Sequence, residues 1–267
     1  MYDLRLQLGF NFDTLMTAIE AEQDSTTQSP DPEALSSCLA MALNALEGAD
    51  YIAVSLTPSE FVHQIISLIA TVARHRLLVR VPATDHTSLA KAYALAPAQV
   101  CLVASGDESV DSDLISGSSD SFSAENPAEL LAGLSLSETT DLMALPESIE
   151  GVCLDTRSWA SCRGVEREQK LAALRSIIEH ANDADRFVYL TELPSLKDAE
   201  EAAALPGVSA IEIGAAILPS ALQKGLGTVL QTLMTTLVKA QEAGLQLALE
   251  DHEHHHHDHG ADCGCHH

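Results

Sequence analysis

The sequence predicts an α/β protein, a (β/α)8 TIM barrel followed by a disordered His/Cys-rich tail. Three observations carry the barrel. Eight short apolar runs recur between residues 4 and 213. Stretches with the apolar spacing of helices alternate with them. Eight such repeats in about 250 residues match the length of one closed barrel. A doubly wound open sheet is the rival, but no glycine fingerprint follows the first run. The expected division is a barrel domain over residues 1–249 and a tail over 250–267.

Taken in order, the first four strands are expected at Leu4–Phe10, Tyr51–Leu56, Leu77–Val81 and Gln99–Ala104. The next four are expected at Leu130–Leu136, Gly151–Leu154, Phe187–Leu190 and Ser209–Ile213. Each is short and apolar, as strands buried on both faces are. Helical patterns cover Pro32–Glu47, Ser59–His75, Ser88–Leu95, Val165–Ala181 and Leu196–Ala204. Leu218, Leu222, Leu226, Val229, Leu230, Leu233 and Leu237 then fall on one face of a long final helix. One repeat lacks its helix: Ser105–Asn126 is rich in Ser and Asp without helical periodicity. It reads as an acidic loop, either a solvated linker or a lid over the strand C-termini.

The formal charge is −25. So acidic a surface repels nucleic-acid phosphates and anionic lipid heads, which argues against nucleic-acid and membrane roles, and it attracts metal cations and basic partners. The N-terminus shows no basic segment followed by an apolar one, and Pro219 and Lys224 interrupt the longest apolar stretch. The expectation is a cytoplasmic protein. Cys38, Cys101, Cys153 and Cys162 are scattered through apolar segments and read as reduced thiols.

Longer motifs add to this pattern. Asn11 and Asp13 stand as Asn-x-Asp in LGFNFDTLMTAI at the end of the first strand. SPDPEALSSCLAMALNALEGADYIAVSL has a Pro-Asp-Pro helix start and a Gly-Ala-Asp lead into the second strand. VCLVAS supplies the fourth strand, and LPGVSAIEIGAAILPSALQKGL the last strand, an Ile-Gly turn and a closing helix. In these segments the chain resembles the pyridoxine 5′-phosphate synthase family, over most of residues 4–240. The resemblance implies the barrel fold, a homo-oligomer and a phosphorylated small-molecule substrate in vitamin B6 biosynthesis. That activity closes a pyridine ring from two phosphorylated substrates, so it needs positioned His and Glu side chains and cations for the phosphates.

Those groups are replaced here. Thr14 stands where the family has histidine after Asn-x-Asp, and Ser55–Val62 replaces a run of histidines and arginines. His63 lies one place beyond it, a shift that turns a helical side chain by about 100°. Arg80 stands for a glutamate on the third strand and Asp155 for a histidine at the sixth. Thr191–Pro194 and Gly214-Ala215 replace two further histidine turns. Loss of one general acid or base costs about 10²–10⁴ in rate. The expectation is a catalytically degenerate barrel, with an active synthase or related phosphate-handling enzyme as the alternative.

Polar groups still expected at the strand ends are Asn11, Asp13, Ser55, Arg80, Asp155, Arg157 and Glu192. Gly214 is expected to begin the last helix, whose free N–H groups could hold an anion. The sequence leaves three readings open: Arg80 paired with Asp13 or Asp155, a retuned small-molecule site, or a degenerate site. His75, His86 and His180 are expected at helix ends or in loops.

The tail, DHEHHHHDHGADCGCHH, carries eight of the twelve histidines. His252, His254, His255, His256, His257, His259, His266 and His267 supply imidazoles, and Cys263 and Cys265 supply thiols. These are ligands for a transition metal such as Zn, Ni, Co or Cu. Gly264 permits a turn that brings both sulfurs to one ion. A loose set of many ligands suits buffering, delivery or sensing of metal ions and suits catalysis poorly. Interruption by Glu, Asp, Gly and Cys distinguishes it from an uninterrupted affinity tag.

Overall fold

Every one of the eight apolar runs forms a parallel strand: β1 (Gln7–Asn11), β2 (Tyr51–Ser55), β3 (Leu77–Pro82), β4 (Gln99–Val103), β5 (Glu129–Ser135), β6 (Gly151–Asp155), β7 (Phe187–Leu193) and β8 (Ala210–Ile213). The computed structural model describes residues 5–22, 30–103, 128–136, 142 and 145–257, with 251–257 described by backbone alone. The strands pair in sequence order, and β8 pairs with β1, Leu8 opposite Ile211, to close the barrel. The fold class is therefore a (β/α)8 barrel.

Among the described residues the helices are α1 (Asp13–Ala21), α2 (Pro32–Ala45), α3 (Glu60–Ala73), α4 (His86–Ala94), α5 (Arg157–Ala160), α6 (Gly164–Asp183), α7 (Leu196–Ala203), α8 (Leu218–Lys224) and α9 (Leu226–His257). Local chemistry starts several of them. Asp31 accepts from the Glu33 N–H ahead of Pro32 at the first helical position. Ser59, Asp85 and Ser195 cap α3, α4 and α7 in the same way. Neither α1, which has no side-chain cap, nor α5, only four residues long, is among the expected helices.

The single final helix expected from the leucine spacing is two helices. Gly225 has φ 84°, a left-handed conformation that glycine adopts without cost, and it separates α8 from α9. The face changes there: Leu226, Leu230, Leu233 and Leu237 are buried, whereas Leu222 is 89% exposed. Helix α9 touches segments that lead into strands. Asn44 Oδ1 accepts from Gly227 N, the Glu47 carbonyl from Gln231 Nε2, and the Val208 carbonyl from Gln241 Nε2. A Cβ on Gly244 would lie 1.9 Å from the Ala204 carbonyl oxygen, so helix and loop meet backbone to backbone. α9 thus lies along the rim at the strand N-termini. Beyond Gly244 it runs on for 13 residues, about 20 Å, with Leu247 and Leu249 exposed. The helical backbone continues through His257, which corrects the expectation of an irregular tail from residue 250; residues 258–267 lie outside the described residues. So does the acidic segment 105–126. No helix among the described residues is long and apolar enough to cross a membrane.

Two apolar cores result. The larger lies between strands and helices, and the smaller fills the barrel with Tyr51, Ala53, Leu78, Cys101, Leu131, Cys153, Tyr189 and Ala210. Tyr51 and Tyr189 meet edge to face at 6.0 Å between ring centroids. The Tyr51 ring occupies the space over Gly9, where a Cβ would lie 2.2 Å from Cζ.

Gly9→Ala should therefore force the Tyr51 ring aside and destabilise the fold by about 1–3 kcal/mol. The double variant Gly9→Ala/Tyr51→Val should recover part of that loss in urea unfolding. An unchanged midpoint for Gly9→Ala alone would show that the ring moves freely.

Candidate functional site

Polar side chains gather where the strands end, and the structure sorts them into three groups. Asp13, at the start of α1, ties β1 to β2: its Oδ1 accepts from Ser55 N and its Oδ2 from Ser55 Oγ, both at 2.7 Å. Asn11 holds the same turn by accepting from Asp13 N at 3.0 Å. These contacts order the rim and occupy the donors of Ser55.

The second group lies inside the barrel. Arg80 donates through Nη2 to Glu212 Oε2 on β8. This corrects the expected pairing with Asp13 or Asp155. The reason is register: β3 and β8 both face inward here, and Glu212, 1% exposed, sits across the barrel axis from Arg80. Sequence reasoning missed Glu212, although a carboxylate in the apolar run SAIEI was a visible signal. Burial disfavours the Arg80 charge, but Glu212, Cys101, Cys153 and Asp13 more than offset it and raise its pKa. Burial also pushes the Glu212 carboxyl up; Arg80 opposes this, while Asp13 and Glu192 reinforce it. Burial drives the Glu212 shift, whereas the anionic neighbours of Arg80 drive its shift against burial. Glu212 Oε1, Arg80 Nη1 and the Tyr51 hydroxyl are buried without a hydrogen-bond partner.

The third group lines a cavity of about 300 Å3 at the β7–β8–β1 side of the mouth. Asn11, Thr14, Arg157, Glu192, Glu212 and Gly214 form its wall. Glu192 has φ 61° beside a bulge between Leu190 and Leu193, a conformation that costs about 1–3 kcal/mol for a non-glycine residue. Its Oε1 accepts from Asn11 Nδ2 at 3.3 Å. Arg157, 70% exposed, is held by Asp155, whose carboxylate accepts from Arg157 N at 2.9 Å and from Nε. The hydrogen bond to Asp155 raises the Arg157 pKa.

Of the eight candidate residues, Asn11, Arg157, Glu192 and Gly214 share the cavity, while Asp13, Ser55, Arg80 and Asp155 do not line it. Gly214 does not begin a long helix. It precedes a three-residue 3-10 turn and the seven-residue α8, so the expected helix N-terminus for an anion is not formed. No histidine lines the cavity. His75 lies in a 3-10 turn, His86 opens α4, and the His180 Nδ1 sits 2.6 Å from the Ser176 carbonyl oxygen in the last turn of α6. The thiols fit a structural role: burial pushes Cys38 up to about 11, and contact with Cys101, together with burial, raises Cys153. No group of three or more His, Cys, Asp or Glu side chains placed to hold a metal occurs among the described residues. The tail side chains from His252 to His267 lie outside them.

No family model matches the sequence, and no curated protein matches it. Similar solved structures exist. The Amycolatopsis orientalis BexX/CysO complex contains a chain 17% identical, with 98% of this chain and 95% of that one covered and a TM-score of 0.55. A mutant tryptophan synthase α-subunit from Pyrococcus furiosus is 12% identical over 89% of this chain and 98% of its own, with a TM-score of 0.56. Tryptophan synthase from M. tuberculosis is 14% identical over 88% and 92%, with a TM-score of 0.54. At these identities the likeness is one of fold.

Removing one partner of the Arg80–Glu212 pair should cost about 3–5 kcal/mol, because the other charge stays buried and unpaired. The double variant Arg80→Met/Glu212→Leu should return most of that stability; equal losses in single and double variants would sink the assignment. The pH dependence follows from the raised Glu212 pKa. The folded state holds that proton more tightly than the unfolded chain, so its contribution is full below the ordinary carboxylate pKa. It is lost as pH rises through the folded value. Denaturation curves of the parent and Glu212→Gln, compared across that interval, should lack this component in the variant.

Proposed function

We propose that this chain is a catalytically degenerate pyridoxine 5′-phosphate synthase-like barrel that binds transition-metal ions through its C-terminal tail, as a buffer, carrier or sensing partner. The observation that carries the proposal is the separation of its two chemistries. The mouth retains carboxylates and two arginines already engaged by Glu212 and Asp155, and its cavity has no histidine. The imidazoles and thiolates are concentrated in the last sixteen residues. Helix α9, whose backbone is described through His257, crosses the rim at the strand N-termini, opposite the mouth.

The donor set fits the group it is proposed to bind. Neutral imidazole and thiolate are preferred by Zn, Ni, Co and Cu, whereas the hard cations Mg and Ca favour oxygen ligands. A metal held at that end would exchange with a partner or with solution and would not reach a substrate in the mouth. The acidic surface raises the local concentration of cations and repels phosphorylated metabolites. A homo-oligomer and a cytoplasmic location are consistent with this reading.

The alternative is a surviving enzyme acting on a phosphorylated small molecule. Its main support is the resemblance in residues 4–240; against it stand Glu192 and Glu212 beside the space where an anion would have to sit.

Calorimetric titration with Zn2+, Ni2+ and Co2+ under reducing conditions tests the proposal. The full chain should bind with high affinity and the chain ending at Leu249, which keeps the buried residues described on α9, should not. Equal affinity for both would move the site into the barrel. Growth of a pyridoxine-requiring strain restored by this chain would overturn the degenerate reading.

A further inference from the structure

We infer that the metal site of the tail is built on helix α9: His252 and His256, one turn apart, hold one divalent cation of the Zn, Ni or Co class, and the bound ion stabilises the end of the helix. The inference rests on the proposed metal binding by the tail and adds to it a residue pair and a conformational consequence.

Backbone placement selects the pair. Residues 252–256 read His-Glu-His-His-His, and the helical backbone of α9 runs through His257. Positions four apart on a helix share one face, with about 5–6 Å between their Cβ atoms. That is the spacing at which two histidines of one helix bind the same zinc ion, at about 2.0–2.1 Å from each nitrogen. Between Leu226 and His257, His252 and His256 are the two histidines four apart. Four places beyond His254 stands Asp258, and the counterpart of His255, His259, lies outside the described residues. An irregular segment would favour no pair over another; a helix does. Neutral imidazole nitrogens suit Zn, Ni and Co and leave Mg and Ca to oxygen ligands.

The helix end in turn has reason to depend on the ion. Past Gly244, where α9 last meets the barrel closely, Leu245, Leu247 and Leu249 are exposed, so packing supports this stretch little. Growth from the packed part needs no new nucleus, but each added residue sets about one hydrogen bond against its lost backbone entropy. Glu250, Asp251 and Glu253 place negative charge in the last turns, where the helix dipole is itself negative. A dication held across residues 252 and 256 reverses that electrostatic penalty. Because it binds the helical arrangement better than an irregular one, it shifts the segment toward helix, and binding and helix formation become one equilibrium.

Calorimetry with Ni2+ on the full chain under reducing conditions, together with hydrogen exchange of the amides of residues 246–257 with and without Ni2+, tests the inference. Ni2+ should slow exchange in this segment. Glu253→Pro keeps every histidine and cysteine but breaks the helix between the paired positions. It should lose the slowing and weaken Ni2+ binding by about tenfold, since ordering of the turn is no longer available to the ion. Glu253→Ala removes the same carboxylate without breaking the helix and should keep both. His252→Ala/His256→Ala should abolish the slowing. Three results would each overturn this inference and leave metal binding by the tail in place: Ni2+ binding without slowed exchange, slowing that persists in His252→Ala/His256→Ala, or equal affinity in Glu253→Pro and Glu253→Ala. A full chain that binds neither Ni2+ nor Zn2+ nor Co2+ would overturn both.

Discussion

A closed eight-stranded barrel encloses a volume fixed by its strand number and tilt, and the side chains that face inward must fill it. In this chain the upper part of that volume is filled by the Arg80–Glu212 ion pair, with Tyr51 beneath it against Gly9. A pair so deeply buried is held by two needs at once. Each charge would be intolerable alone in the interior, and together they span the barrel from β3 to β8. The neighbouring residues follow: glycine where the tyrosine ring lies, small residues at Ala53 and Ala210, and thiols at Cys101 and Cys153.

The same pair determines what the mouth can do. By engaging Arg80, Glu212 removes a cation that could otherwise have received an anionic substrate. Asp155 does the same to Arg157 at the rim, in a pair too exposed to stabilise the fold by more than about 1 kcal/mol. What remains is a mouth rich in carboxylates, in which burial raises the pKa of Glu212 and neighbouring anionic groups raise that of Arg80. The chemistry of proton transfer at phosphorylated substrates needs the opposite arrangement, cations around the phosphates and bases with room to act.

Topology separates this mouth from helix α9. The chain leaves β8 at the mouth, descends through α8, turns at Gly225 and crosses the far rim as α9. The turn matters because one continuous helix would have kept Leu222 and Leu226 on a common face. Instead the first is solvated and the second buried, and α9 gains a close backbone approach at Gly244 that no larger residue would allow.

The sequence by itself determined the barrel, since strands buried on both faces must be short and apolar, and that pattern survives without knowledge of any neighbour. All eight strands lie within three residues of their expected limits at either end, although Glu192 belongs to β7 and not to a turn after it. Capped helices such as α2 and α3 were equally legible, while α5, four residues long, was too short for periodicity to mark and α1 lacks a side-chain cap. The concentration of His and Cys in the tail is likewise read from the sequence alone, because it depends on residue type and not on placement. What only tertiary structure decided was partnership. Which carboxylate meets Arg80, which four of eight rim residues share a cavity, and where Gly225 breaks the final helix depend on contacts 132 or 181 residues apart and on strand register. Periodicity within a segment holds no information about such contacts, and so Glu212, visible as an odd charge in an apolar strand, acquired its meaning only when β3 and β8 were brought face to face.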